Sequence, residues 1–309
     1  MVFRLGHVHG LTEREEYLFD VQGWLVVPRV IEPRLLRALN DALDANQDRF
    51  GPTDEDLVEE STTLAAEHRR RTGGGMLEWP HPYCDPFRQL IAYPPLIGYL
   101  DGLLGRGWHL DHPPEVFDYP RGTEGHVLHF GEPFPQDGIW YQARGGTLRS
   151  GLLAVEFLLS DQPAGGGGFC AIAGSHKANF PCPRGISLWE QDQSAVTNPG
   201  ARAGDVIIFT EALAHGTLPW RNEFGRRVAV YRFAAKTVQY AQGFHQVVMP
   251  GWADELTPAQ RAALEPAHFY DKAIIEPDGS VSRPWEEYDE PPARIRGDSA
   301  TTGAGSDRA

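Results

Sequence analysis

The hydrophobic positions of this chain fall into two regimes. Up to about residue 105 apolar residues recur at helical spacing between short strand-like runs. GWLVVP, residues 23–28, reads as a short buried strand. Leu35, Leu36, Leu39 and Leu43 then form one stripe behind Pro33, a residue favoured in the first turn of a helix. Tyr93-Pro94-Pro95 opens a second helix, LIGYLDGLLG, which stops at Gly105. Beyond it WHLDH and VFDYP are strand material. From His126 onward the runs VLHF, LLAVEFLLS, GFCAI, DVIIF and VAVYRF follow one another between Gly- and Pro-rich connections. Helices first and short strands afterwards predict a mainly β fold: a jelly-roll core with flanking helices. Thr257-Pro258-Ala259-Gln260 is a capping-box start for one more helix, ending about Glu265.

The polar stretches delimit a single domain over residues 17–285. Residues 1–16 read as a loose arm, and 286–309 as an acidic, largely disordered tail that is first Pro-rich and then Ser/Thr/Gly-rich. Residues 51–80, charged and then Gly-rich, read as a solvated loop or a mobile cover over a pocket. Gly165–Gly168 leads into a strand, so it is expected to be a hairpin turn. A phosphate-cradling loop would need Gly-Lys-Ser/Thr opening a helix.

Composition narrows the function. Of 309 residues, 42 are acidic and 28 basic, a formal net charge of −14, which opposes a nucleic-acid or anionic-membrane partner. No apolar run reaches the length of a membrane span or has signal-peptide character. The three cysteines, Cys84, Cys170 and Cys182, are irregularly spaced, as expected of reduced thiols in a cytoplasmic protein. A nucleophile-elbow sequence is absent, which leaves a hydrolase unsupported.

Chemistry concentrates in AGDVIIFTEALAHGTLPWRNEFGRRVAVYRF, residues 203–233. His215 at a strand start is a good transition-metal ligand. Arg226, eleven residues on, is suited to gripping a carboxylate through parallel hydrogen bonds. An open metal beside a carboxylate clamp is what an oxygenase with an oxo-acid co-substrate needs.

This segment resembles the phytanoyl-CoA dioxygenase family, with its Gly-Asp turn, His-Gly-Ser/Thr ligand strand and downstream Arg. LLSDQPAGGGGFCAIAGSHKANFP, residues 158–181, resembles that family's Gly-rich hairpin with a Gly-Ser-His-Lys turn. FDVQGWLVVPRVIEPRLLRAL, residues 19–39, is similar to its entry strand and helix. The resemblance implies a double-stranded β-helix enzyme that uses Fe(II) and 2-oxoglutarate, releases succinate and CO2, and hydroxylates a small organic molecule. It makes Arg226 the clamp for the co-substrate carboxylate and Thr217 a second donor to it. Tyr141, in the long connection before LLAVEFLLS, is expected to line the pocket and Trp140, Phe134 and Trp220 to make it apolar.

The first family motif, His-x-Asp/Glu, is matched by His129 but broken at Gly131, where the carboxylate should stand. The third metal ligand is therefore open. Glu211, four residues before His215, ranks first and Glu132 second. A vacant position, filled by halide or water as in 2-oxoglutarate-dependent halogenases, ranks third. His109-Leu110-Asp111 spells His-x-Asp but lies some twenty residues too early, so Asp111 is expected to orient a strand end. A metal-poor binding protein on the same scaffold is the reading outside enzymes.

Overall fold

The computed structural model describes residues 10–131, 138–241 and 249–283. In chain order its regular elements are α1 (Glu13–Gln22), β1 (Trp24–Val27), α2 (Pro33–Ala45), β2 (Gly51–Pro52), β3 (Arg71–Gly73), α3 (Asp85–Gln89), α4 (Pro94–Leu104), β4 (His109–Leu110) and β5 (Glu115–Tyr119). Then come β6 (His126–His129), β7 (Tyr141–Arg144), β8 (Thr147–Ser150), β9 (Leu152–Leu158), β10 (Gly168–Ala171), α5 (Arg184–Ser187) and β11 (Val206–Thr210). The remainder are β12 (His215–Leu218), β13 (Arg226–Ala234), α6 (Pro258–Leu264), β14 (Ile274–Ile275) and β15 (Val281–Ser282). An eight-stranded sheet runs β1-β11-β9-β13-β5-β3-β2, with β4 beside β13, and faces a three-stranded sheet, β10-β12-β6. Every pairing in the two sheets is antiparallel. This is the expected jelly roll with flanking helices.

Side-chain alternation explains why β9 is buried along its whole length. Leu153, Val155 and Phe157 face the helical layer, where they join Leu39, Leu43, Phe87 and Leu100. Ala154 and Leu158 face the small sheet and meet Phe169 and Ala171. On β13 Ala229, Tyr231 and Phe233 take the helical side, while Val228 and Val230 point into the roll. Parity therefore sends Arg226 and Arg232 inward as well, about 20 Å apart along one strand.

The flanks need one correction. The expected loose arm does not include residues 13–16, which begin α1, and Leu11 is buried. Thr12 accepts from the Glu15 backbone N–H and the Glu15 carboxylate accepts from that of Thr12, a reciprocal cap. That signal was present in the sequence, but α1 buries only Phe19 and so carries no apolar stripe. Residues 1–9 and the expected tail over 286–309 lie outside the described residues. Residues 51–80 are more than a loop: β2 and β3 extend the large sheet from β5. The helix expected after Thr257 forms with both capping bonds present.

Candidate metal centre

β6 and β12 are neighbours, and their register places His129 opposite His215. The ring centroids are 4.3 Å apart. His215 Nδ1 lies 2.7 Å from the Leu213 carbonyl oxygen and His129 Nδ1 lies 3.1 Å from that of Val127. A carbonyl only accepts, so each Nδ1 carries the proton and each Nε2 keeps its lone pair. Burial, and then the neighbouring His215, push the His129 pKa down to about 3; burial also lowers that of His215. Both rings are neutral, the form that binds metals. His126 stands 4.5 Å from His129 between centroids, its pKa pushed down to about 2 by burial and then by His129. Sequence reasoning passed over His126, although His126-Val127-Leu128-His129 puts two imidazoles on one short strand.

The place where a motif carboxylate was sought is closed to any side chain. Gly131 has φ +72°, and a Cβ there would lie 2.6 Å from Ala214 Cβ and 3.0 Å from Ala214 N. Glu211, by contrast, is 2 % exposed, with Oε2 3.4 Å from His215 Nε2. Arg232 Nε donates to its Oε1 at 2.8 Å. Burial opposes ionisation of Glu211, but the Arg232 guanidinium beside it outweighs burial and holds the carboxyl below its usual range. The donor atoms of Glu211, His215 and His129 do not all close to within 4.8 Å of one another. Glu132 lies outside the described residues. Asp111 accepts the backbone N–H groups of Tyr240 and Ala241, both at 2.8 Å, so it fastens the segment that follows β13.

Arg226 is 1 % exposed and lies over the Tyr119 ring at 5.6 Å. Its Nη2 donates to Glu156 Oε2 at 3.0 Å and its Nε to Gln162 Oε1 at 3.2 Å. Nη1 is buried with no hydrogen-bond partner among the described residues. A cavity of about 300 Å³ is lined by His126, His129, His215, Glu156, Arg70 and Arg232, with Thr217 on its wall. Behind this lining lie Arg226, in contact with Glu156, and Glu211, in contact with His215 and Arg232. Thr53, Glu55 and Thr72 close one side, so the polar 51–80 stretch walls the cavity. A larger hollow of about 610 Å³ opens between Pro28, Asp161 and Asp205, and none of these histidines lines it.

Tyr141 is not brought to this cavity. It sits on the β7–β8 hairpin, its hydroxyl donates to Asp20 Oδ1 at 2.6 Å, and its ring packs edge-on to His176. The described part of the long connection leans on α4, where Arg149 Nη1 donates to the Gly102 carbonyl at 2.9 Å. Trp220 is committed elsewhere, donating to the Phe224 carbonyl at 2.6 Å. The apolar lining comes instead from Phe117, Phe169 and Phe209; Phe134 is outside the described residues.

Facing neutral histidines inside a double-stranded β-helix, with Glu156 and Arg232 on the same cavity, define the class of non-haem oxygenase scaffolds. The family model for phytanoyl-CoA dioxygenase (PhyH) matches residues 19–228, and the chain belongs to that family within the Fe(II)/2-oxoglutarate-dependent oxygenase superfamily. That superfamily's cofactor system is iron with 2-oxoglutarate. Among solved structures, HygX from Streptomyces hygroscopicus with nickel and 2-oxoglutarate bound is similar at 22% identity and TM-score 0.60, over 75% of this chain and 90% of that one. The carbocyclase SnoK from nogalamycin biosynthesis matches at 17% identity and TM-score 0.56, over 85% of this chain and 97% of that one. EctD from S. alaskensis, with 2-oxoglutarate and 5-hydroxyectoine, matches at 20% identity and TM-score 0.52, over 75% and 79%. At these identities the likeness establishes the fold. No curated protein matches the chain. No helix among the described residues is long and apolar enough to cross a membrane.

Proposed function

We propose that this protein is an Fe(II)- and 2-oxoglutarate-dependent dioxygenase that hydroxylates a small polar organic molecule. The observation that carries the reading is the His129–His215 pair, with both Nδ1 atoms tied to carbonyls and both Nε2 lone pairs free on one cavity. His129 and His215 would hold the iron, and Glu211 Oε2 would be the third ligand. Glu211 Oε2 already lies 3.4 Å from His215 Nε2, and the three donors would draw together around the ion. Arg226 fits the co-substrate through Nη1, a buried donor without a partner; Thr217 would donate to the same carboxylate. When bound, iron and oxo acid supply O2 activation coupled to decarboxylation of 2-oxoglutarate to succinate and CO2.

The residues of the chain do the rest. Arg232 keeps Glu211 ionised and aimed, and the carbonyls of Val127 and Leu213 fix the two imidazole tautomers. Phe169 and Phe209 keep the inner wall apolar. Glu55, Arg70 and Glu115 offer charged anchors to a substrate, which favours a hydrogen-bonding molecule over a hydrocarbon chain. HygX is solved with hygromycin B and EctD with 5-hydroxyectoine, both polar small molecules.

A second reading rests on Gly131, whose backbone admits no carboxylate: a halogenase, with halide in the third position. Anaerobic titration of Fe(II) and 2-oxoglutarate tests both. A visible charge-transfer band in the wild type that Glu211→Ala abolishes supports the dioxygenase. A band that survives this change and responds to chloride supports the halogenase. No band from folded protein would overturn both and leave a binding protein.

A further inference from the structure

Three different donor atoms meet at the start of α3, on residues that do not line the cavity. They belong to His81, Cys84 and Asp85, the one group of metal-binding side chains among the described residues whose donor atoms all lie within 4.8 Å. His81 Nδ1 is 2.7 Å from Asp85 Oδ1, and Cys84 Sγ is 3.6 Å from that nitrogen and 3.5 Å from that oxygen. A tetrahedral zinc ion with ordinary bond lengths sets nitrogen–sulfur and sulfur–oxygen edges of about 3.6 and 3.5 Å, and a nitrogen–oxygen edge of about 3.3 Å. Both sulfur edges already have these lengths. Only the nitrogen–oxygen edge must open, by about 0.6 Å, and the Asp85 side chain is 48% exposed and free to swing.

The far side of the imidazole is an independent indication. His81 Nε2 lies 2.9 Å from Glu255 Oε2, and Arg88 Nη1 holds the same oxygen at 2.5 Å. That carboxylate, paired with Arg88, accepts from Nε2–H. In the ion-free protein the 2.7 Å contact between Nδ1 and Asp85 Oδ1 is a hydrogen bond, and a cation bound there would displace the bridging proton while Nε2–H stays on Glu255. Carboxylate, then histidine, then metal is the usual order around a ligating imidazole. Cys84 is buried at the floor, whereas His81 is 58% exposed and gives an ion a path in.

We propose that His81 Nδ1, Cys84 Sγ and Asp85 Oδ1 bind a zinc-class divalent cation, with water as the fourth ligand. The thiolate selects zinc or cobalt over the harder ions, which keeps this site chemically distinct from the histidine–carboxylate centre of the jelly roll. Through Glu255, in the turn before α6, the ion would fasten the segment entering α3 to the C-terminal helix.

The test uses the full chain, stripped with chelator and titrated with Co(II). The proposal expects one equivalent to produce a near-ultraviolet thiolate-to-cobalt band, which the sulfur-free jelly-roll centre cannot give, and Zn(II) to bleach it. Cys84→Ser should abolish the band. Because Cys84 is buried, two exposed variants guard against misfolding: Asp85→Asn and Glu255→Gln should each retain the thiol but weaken cobalt binding about 10- to 100-fold. No band in the wild type, or a band unchanged in Cys84→Ser, overturns the proposal. So does unchanged affinity in both exposed variants.

Discussion

Arg226 and Glu156 form an ion pair sealed inside the jelly roll, Nη2 to Oε2 at 3.0 Å, with side chains 1% and 8% exposed. The guanidinium assigned to the co-substrate thus already has a carboxylate partner, and that partner lies on the cavity wall. A second carboxylate arriving at Nη1 meets a cation whose charge is partly spent and an anion close by.

Glu156→Gln should therefore tighten 2-oxoglutarate binding about tenfold, or about 1.4 kcal/mol, while lowering the stability of the ligand-free protein. A buried charge stripped of its partner typically costs about 3–5 kcal/mol, and the co-substrate carboxylate would restore much of it. Anaerobic titration together with thermal shifts, with and without 2-oxoglutarate, reads both effects. Weaker binding in Glu156→Gln would mean that another cation, Arg70 or Arg232, receives the carboxylate.

Gly131→Asp restores the family motif on paper but should fail in the protein. The backbone at φ +72° disfavours any side chain by about 1–2 kcal/mol, and the new Cβ would strike Ala214. We expect a loss of at least about 2 kcal/mol in urea unfolding and no gain in iron content. Higher iron affinity in a stable Gly131→Asp protein would show that this loop moves to admit a ligand.

Much of this was legible in the chain because it is local. The 3.6-residue stripe of α2, the β-branched runs of β9, β11 and β13, and the Thr257 cap are short-range patterns, and each folded as read. His129 and His215 were found separately; their meeting depends on the pairing of β6 with β12, which no local pattern encodes. Glu156 was invisible for a related reason. In LLAVEFL it reads as one polar break in an apolar strand, and only the parity of β9 and β13 aims it at Arg226. Tyr141 was expected to line the pocket from its place in a long connection, whereas its hairpin is drawn to α4 and Asp20 by contacts distant in sequence.

Arg232 should matter more to iron binding than its position suggests. It donates to Glu211 Oε1 at 2.8 Å and also reaches Glu115 at 3.5 Å. Arg232→Ala leaves the Glu211 charge buried without its main partner, at a cost of about 3 kcal/mol. Glu211 should then hold its proton to higher pH than in the wild type, so iron affinity should fall and recover as pH rises. Arg232→Lys should retain most of the affinity. A pH-independent iron affinity in Arg232→Ala would remove Glu211 from the ligand set.

Acid should destabilise the metal-free protein earlier than its carboxylates would require, and His109 is one reason. It is 3 % exposed, and neither ring nitrogen has a hydrogen-bond partner among the described residues. Burial, and then the nearby Lys272, push its pKa down to about 4 against the opposing pull of Asp111. In the unfolded chain it titrates near 6.5, so between these values the unfolded state binds a proton that the folded state refuses. Its contribution is complete above that upper value, is lost as pH falls through the window, and levels off below about 4, a total of about 3 kcal/mol. His176, also pushed down to about 4 by burial and then by Lys177, adds a loss of the same sign over the same window. Urea midpoints measured from neutral to acidic pH should therefore fall across this range in the wild type. His109→Leu keeps the site apolar and removes one titrating group, so its fall should be shallower by about 3 kcal/mol. Parallel curves for the two proteins would show that His109 is protonated, or solvated, in the folded state.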